Sequence, residues 1–239
     1  MHTLSAAELL RVWERGLGDN PIRRAIQLLS AACPDSDLEE IRQLSIGQRD
    51  SLLLGLRERT FGRDLTGISR CSGCNEQIEL AFATSDFPQK KAALPMVERG
   101  SYKLELRPLN SADLEDVMDR DPRQARRGLL ELCTLSARCQ GEPVVASDLP
   151  SEVLDEAERQ LAEADPQSDI QLMLSCPACG TKNRVVFDIV SFFWREIESW
   201  AVRILREVHT LALAYGWREE DILALSPVRR QCYLDLIGA

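Results

Sequence analysis

The chain has little of what a catalyst needs. Histidine occurs only at His2 and His209, so the commonest general base is nearly missing. A base also needs a nucleophile within reach, and no glycine-rich phosphate loop or recognisable Ser, Cys or Lys nucleophile motif is present. Acidic runs such as Glu39-Glu40 and Glu219-Glu220-Asp221 read as helix-start charges favoured by the dipole. No stretch approaches the ~20 consecutive apolar residues of a membrane span. The opening Met1-His2-Thr3-Leu4-Ser5-Ala6-Ala7-Glu8 has neither the basic start nor the apolar core of a leader. A basic surplus is lacking too: 29 Lys and Arg against 38 Asp and Glu give a net charge of −9, which opposes general binding to nucleic-acid phosphates. The two arginine clusters, Arg123/Arg126/Arg127 and Arg229/Arg230, lie among acidic neighbours on expected helices and read as solvated faces. These absences point to a non-enzyme of the cytoplasm.

Cysteine is what the chain does have. Eight are present, and four form two Cys-x-x-Cys pairs, Cys71/Cys74 and Cys176/Cys179. Random placement of that many would give about 0.2 such pairs. Each pair sits between strand-like runs: Gly67 to Arg70 and Glu76 to Phe82 around the first, Leu172 to Ser175 and Arg184 to Phe187 around the second. Strand, knuckle, strand, twice over, is the pattern of a zinc ribbon, whose four thiolates complete a closed tetrahedral site. A closed site leaves no position for water, so structural zinc is the expected cofactor. The offset that carries Cys71 to Cys176 and Cys74 to Cys179 also carries Leu80 to Val185, Phe82 to Phe187 and Phe87 to Phe192. Two similar half-sites should therefore share one small phenylalanine core. Iron in a rubredoxin-like site, four buried thiols, or two redox-active pairs are the alternatives. Redox pairs are disfavoured because neither opens a helix in a βαβ context. The remaining cysteines, Cys33, Cys133, Cys139 and Cys232, have no paired spacing. Free thiols and metal-type knuckles indicate a reducing compartment.

Around the knuckles the chain reads as helical. A capping box at Ser5 and Glu8 opens a first helix ending near Gly16, and Pro21 opens a second through Ala32. A short third follows Ser36, and a fourth runs from Ile46 to Phe61, closed by Gly62. Residues 83–98 read as irregular, around Pro88 and Lys90-Lys91. Tyr102 to Arg107 alternates as a strand. Ser111 should cap a helix through Met118, Pro122 should start one through Leu135, and Ser147 or Ser151 one to Ala164. The longest helix starts near Phe193, with an apolar stripe of Ile197, Trp200, Ile204, Val208, Leu211 and Tyr215. From Phe193 to Tyr215 this face extends about 35 Å at ~1.5 Å per residue. Gly216 should cap it, Trp217 to Leu223 forms a short helix, and Ser226-Pro227 starts the last, with Tyr233, Leu234 and Ile237 facing inward.

Two segments carry a resemblance. One is Leu44-Ser45-Ile46-Gly47-Gln48-Arg49-Asp50 with Leu52 to Gly62. The other is Phe193-Trp194-Arg195-Glu196-Ile197 with Glu207 to Ala212, Ala214 to Trp217 and Glu220 to Ser226. With the two knuckles, these resemble the T-even phage-type baseplate proteins, the baseplate hub assembly chaperones of contractile phage tails and contractile injection systems. The resemblance covers about residues 4–82 and 170–239. It implies an assembly chaperone or component of the hub, acting by protein–protein binding on baseplate or hub proteins encoded nearby, and present in the cytoplasm and in the assembled tail if retained. Aromatics and arginines are enriched at interface centres, which makes Trp217, Arg229, Arg230 and Tyr233 the candidate partner surface. The rival class is a zinc-ribbon nucleic-acid-binding or regulatory protein.

The expected fold is α+β, mainly helical with a split four-cysteine zinc ribbon. Its segments are a helical module (1–62), the first ribbon half (63–88), a mostly helical insert with one or two strands (89–167), the second ribbon half (168–190) and a C-terminal helical unit (191–239). The acidic balance yields a first prediction. A gel-shift assay near physiological salt should detect no DNA or RNA binding tighter than about 10⁻⁴ M; salt-sensitive micromolar binding would favour the regulator class.

Overall fold

Capping side chains set the helix starts. Ser5 accepts the N–H of Glu8 and the Glu8 carboxylate accepts that of Ser5, so α1 (Ala6–Gly16) opens on the expected capping box. Asn20 caps α2 (Pro21–Ala32), Asp37 caps α3 (Leu38–Gln43), and Ser45 with Gln48 boxes α4 (Ile46–Phe61). Gly62 ends α4 at a φ of 92°, a backbone open to glycine at little cost. The computed structural model describes residues 1–87 and 93–238. Pro88 and Lys90-Lys91, at the centre of the expected irregular stretch, lie outside the described residues.

The segments group into two units, Met1–Asp35 with Val190–Ala239, and Ser36–Ile189. The first contains α1, α2, most of α8 (Ile189–Tyr215), α9 (Glu219–Leu223) and α10 (Pro227–Ile237). Its long helix starts four residues before Phe193. It buries Phe193, Ile197, Ala201, Ile204, Val208 and Leu211, while Trp200 is half-buried and Tyr215 exposed. Trp194 is buried against Gly16, where an added Cβ would lie 2.3 Å from the indole. The Arg24 guanidinium covers that ring at 4.4 Å. On α10 Tyr233 and Leu234 are half-buried, but Ile237 is exposed, contrary to its expected inward position.

The second unit holds the ribbon and its insert. Hairpin β1 (Asp64–Arg70) with β2 (Gln77–Ala83) precedes the insert, and β7 (Gln171–Ser175) with β8 (Lys182–Val186) follows it. The insert is less helical than expected. It carries an antiparallel sheet ordered β3 (Met96–Arg99), β4 (Tyr102–Leu106), β5 (Thr134–Cys139) and β6 (Glu142–Pro143). Helices α5 (Ser111–Val117), α6 (Pro122–Cys133) and α7 (Ser151–Ala164) complete it. Val97, Leu104, Leu106, Leu130, Ala137, Leu149, Val153 and Ala157 form its core. Strand β4 is the alternating segment expected from Tyr102; the rest of the sheet was hidden for local reasons. Strand β3 has four residues and buries only Val97, too few for a visible period. Strand β5 follows α6 without a turn residue, so Leu129, Leu132 and Leu135 read on as helix, whereas the backbone extends at Thr134 (ψ 110°). Cys133 thus ends the helix and is buried, while Cys139 sits half-buried on a strand. The α5 cap is Asn110, not Ser111: its side chain accepts the N–H of Asp113 at 2.9 Å.

Two segments of the insert land at the start of α4. In the connection from β4 to α5, the Leu109 carbonyl accepts the N–H of Ile46 at 2.9 Å, and Asn110 donates to Gln43 of α3 at 2.7 Å. Arg49 is buried, donating to Asp50 at 2.8 Å and to the hydroxyl of Ser111 at 3.3 Å. On the returning leg, the buried Asp165 carboxylate accepts the N–H of Gly47 at 2.8 Å, and Gln167 accepts the Ser51 hydroxyl. An anion at a helix N-terminus is favoured by the dipole. Gly47 permits this approach, since a Cβ there would lie 2.0 Å from Asp165 Oδ1. The polar run Arg49-Asp50 is therefore a satisfied buried network.

Burial pushes the Asp50 carboxyl up to about 6; Arg49 pulls it down, and Asp188 and Asp165 push it further up. A folded-state pKa above the unfolded value means that the folded chain holds the proton more tightly. Stability from this group is full below about pH 4 and is lost as pH rises through about 6. Urea midpoints of Asp50→Asn and the parent between pH 4 and 7 should show this decline in the parent and a smaller one in the variant. Parallel pH profiles would refute the assignment.

Candidate metal centre

Two hairpins place four sulphurs together. In each, the first cysteine ends a strand and the chain turns back through a tight knuckle. The N–H of Cys71 donates to Glu76 O and that of Asn75 to Cys71 O, each at 2.9 Å. In the second knuckle, Cys176 donates to Thr181 O and Gly180 to Cys176 O, again at 2.9 Å. Asn75 and Gly180 take equivalent left-handed positions, with φ of 61° and 73°. Asparagine tolerates this region better than most side chains, and glycine meets no penalty there. The two half-sites thus repeat one backbone, as their common offset predicts.

Cys71, Cys74, Cys176 and Cys179 converge with every Sγ within 4.8 Å of the others. Cys71 and Cys179 are 3.5 Å apart, and Cys74 and Cys176 3.6 Å. A tetrahedral ion with metal–sulphur bonds of ~2.3 Å requires sulphur–sulphur edges of about 3.8 Å. Cys71 and Cys176 are buried, whereas Cys74 and Cys179 face outward. The surrounding dipoles suit thiolates. The Cys74 N–H, with the N–H of Gly73 and the Asn183 amide, lowers the Cys71 thiol to about 6. The Thr181 hydroxyl and N–H lower that of Cys179. Cys74 rises to about 12: the Glu76 N–H pulls it down, but thiol neighbours and burial outweigh that pull. Four adjacent sulphurs cannot all ionise by themselves, and a divalent cation is the partner that lets them. The donor set and spacing therefore fit a metal ion of the thiolate-binding class.

Four residues that the cysteine pattern does not reveal, Asn183, Ser72, Gly73 and Thr181, complete the site. Buried Asn183 on β8 accepts the N–H and the hydroxyl of Ser72, both at 2.8 Å, and donates to Thr181 O at 3.0 Å and to Cys71 Sγ at 3.6 Å. It ties one hairpin to the other and orients a ligand sulphur. Gly73 donates to Cys71 Sγ at 3.3 Å and faces Thr181 so closely that a Cβ would lie 2.7 Å from its hydroxyl. Asn183 left one trace in the sequence: it holds an inward strand position, where the first half-site has Ile78. Below the knuckles Phe82, Phe87 and Phe187 meet with ring centroids 5.1 to 5.5 Å apart. Phe192 lies on α8 in the other unit.

The expected partner residues stand in the first unit. Trp217 stacks on Tyr215 at 4.6 Å and meets Tyr233 edge-on at 4.8 Å. The Arg229 guanidinium lies 6.0 Å from the Tyr233 ring, at an exposed position. Arg230 differs: it is buried, donating to Glu207 at 2.7 Å and to Leu225 O at 3.2 Å. Its charge fastens α10 to α8 and is spent inside the chain, so it does not belong with the exposed set. Of the other arginine cluster, Arg126 pairs with Asp155 and Glu158.

Among the described residues, no helix is long and apolar enough to cross a membrane. The family model described as T4 bacteriophage base plate protein matches residues 7–194. No curated protein and no solved structure matches. The match covers most of the chain, which thus belongs to the T4-type phage baseplate family. It runs through the insert, where no resemblance was expected, and stops at Trp194, so most of the second resembling segment lies beyond it.

The Asn183 contacts generate a prediction. Asn183→Ala leaves the Ser72 donors and Cys71 Sγ without their partner. It should weaken metal retention against a competing chelator about 10- to 100-fold, while Thr66→Ala on the exposed side of β1 leaves it unchanged. Equal retention in both variants would remove Asn183 from the site.

Proposed function

We propose that this baseplate-family chain is a non-enzymatic assembly chaperone of the hub region of a contractile tail or injection system. It acts by binding other baseplate proteins, with its split ribbon closed by one structural zinc. The observation that carries the reading is the family match over residues 7–194. The zinc part rests on the four converging sulphurs. Cys71, Cys74, Cys176 and Cys179 would hold the ion, which when bound supplies charge neutralisation and a cross-link between the hairpins. With four protein ligands no position remains for water, so the site is read as a scaffold. The chain is made in a reducing cytoplasm, where its thiols stay available to metal.

The binding surface is proposed on the C-terminal helices. Trp217, Tyr233 and Arg229 form an aromatic and cationic cluster, and Val228 and Leu236 are exposed on α10. Exposed apolar positions beside rings and an arginine suit an interface centre. Arg230 supports this surface from beneath through Glu207.

Metal analysis of protein purified without chelator should give one zinc per chain and a colourless solution. Colour with bound iron, or no metal and four reactive thiols, would overturn the zinc assignment. Cys176→Ser should lose the ion and much of the stability, because binding a structural metal is part of folding. Co-expression with the baseplate proteins encoded alongside should recover a complex. Trp217→Ala with Arg229→Ala should weaken it at least tenfold without unfolding the chain; unchanged capture would move the interface elsewhere. Mass spectrometry of purified particles separates chaperone from permanent subunit, since stoichiometric retention would favour the subunit.

A further inference from the structure

We infer that the sulphur tetrad is also an oxidative modification site, at which oxidation joins the two hairpins by disulfides Cys71–Cys179 and Cys74–Cys176 and not within either Cys-x-x-Cys pair. The cross-hairpin sulphurs already touch, at 3.5 and 3.6 Å. A disulfide needs about 2.05 Å, so each pair has about 1.5 Å to close. Each pair joins an exposed cysteine to a buried one: Cys179 with Cys71, and Cys74 with Cys176. An oxidant from solvent reaches the outward member first, and the buried thiol of the other hairpin stands next to it.

With a hydroperoxide as oxidant the chemistry balances. An outward thiolate, Cys74 or Cys179, attacks the peroxide oxygen, becoming a sulfenic acid while hydrogen peroxide loses hydroxide. The buried thiol of the opposite hairpin attacks that sulfenic sulphur, the new S–S bond forms, and water leaves. Per disulfide, two thiols lose two electrons and two protons, and one peroxide becomes two waters. The link spans 108 residues in one case and 102 in the other. Covalent bonds would then close the same long loop that the metal closes, so the ribbon stays shut when the ion leaves.

This inference rests on the contacts between sulphurs and not on which ion they hold. The test uses the full-length chain carrying Cys232→Ser, because Cys232 is exposed and would join separate molecules. Metal content is measured first. Hydrogen peroxide is then added at two equivalents per chain, and the products are mapped by non-reducing peptide mass spectrometry with fragment-ion sequencing. The expected result is one linked species joining the peptide of Cys71 and Cys74 to that of Cys176 and Cys179, with linkages 71–179 and 74–176. Its thermal midpoint should be insensitive to chelator until a thiol reductant is added. Unlinked peptides each two mass units lighter, linkages 71–176 and 74–179, or sulfinic and sulfonic acids without disulfide would each overturn it. Cross-linking in protein that never held zinc would support it while the zinc assignment fails. Bound zinc with disulfides inside each knuckle would do the reverse.

Discussion

Closure of one long loop is the constraint on which the second unit depends. The sulphurs that meet at the ribbon come from hairpins about a hundred residues apart, and the intervening chain must return to its starting point. Loop entropy makes this tolerable, since its cost grows only as the logarithm of length. Yet the cost is met twice. At the tip, the tetrad joins the hairpins. At the root, the start of α4 receives the β4–α5 connection and the returning end of the insert through backbone and polar side-chain contacts that need no metal. The Asp165 carboxylate over Gly47 and the buried Arg49 and Asp50 belong to that root. Protein contacts at the root thus support the closure independently of the tetrad.

The pseudo-symmetry of the ribbon explains how so small a site is specified. Each half-site repeats the same two backbone hydrogen bonds and the same left-handed residue. Repetition brings four sulphurs within 4.8 Å of one another from two copies of one local turn. The symmetry breaks where a fastener is needed: Ile78 packs with Cys71 and Cys176, whereas Asn183 bridges to Ser72 and Cys71. Buried amides are costly without partners, and this one uses both its oxygen and its nitrogen.

In the first unit, charge and aromaticity were poor guides to surface until burial was known. Trp194 looks like an interface residue but is sealed between Gly16 and Arg24. Arg229 and Arg230 are adjacent in sequence and opposite in role, because successive helical positions differ by about 100° in direction. One lies beside Tyr233 in the open, and the other is locked to Glu207 within the fold.

The sequence by itself determined what depends on a few neighbouring residues. Helix starts at Ser5 and Ser226 follow from side chains reaching N–H groups three positions on, and the start at Pro21 from the fixed proline φ. The knuckles follow from Cys-x-x-Cys spacing between strands, and the long helix from its periodic apolar stripe. What only the tertiary structure decided depends on partners far along the chain. Apart from β4, which its alternation reveals, the insert's sheet is invisible locally because β3 and β6 gain their identity only by pairing with β4 and β5. The polar run Arg49-Asp50 has no local explanation until Ser111 is beside it. Asn183 becomes a site residue only when the first knuckle, more than a hundred residues away, supplies Ser72 and Cys71. Local hydrogen bonding and periodicity are written in adjacent letters; burial and long-range polar pairing exist only once the chain has closed.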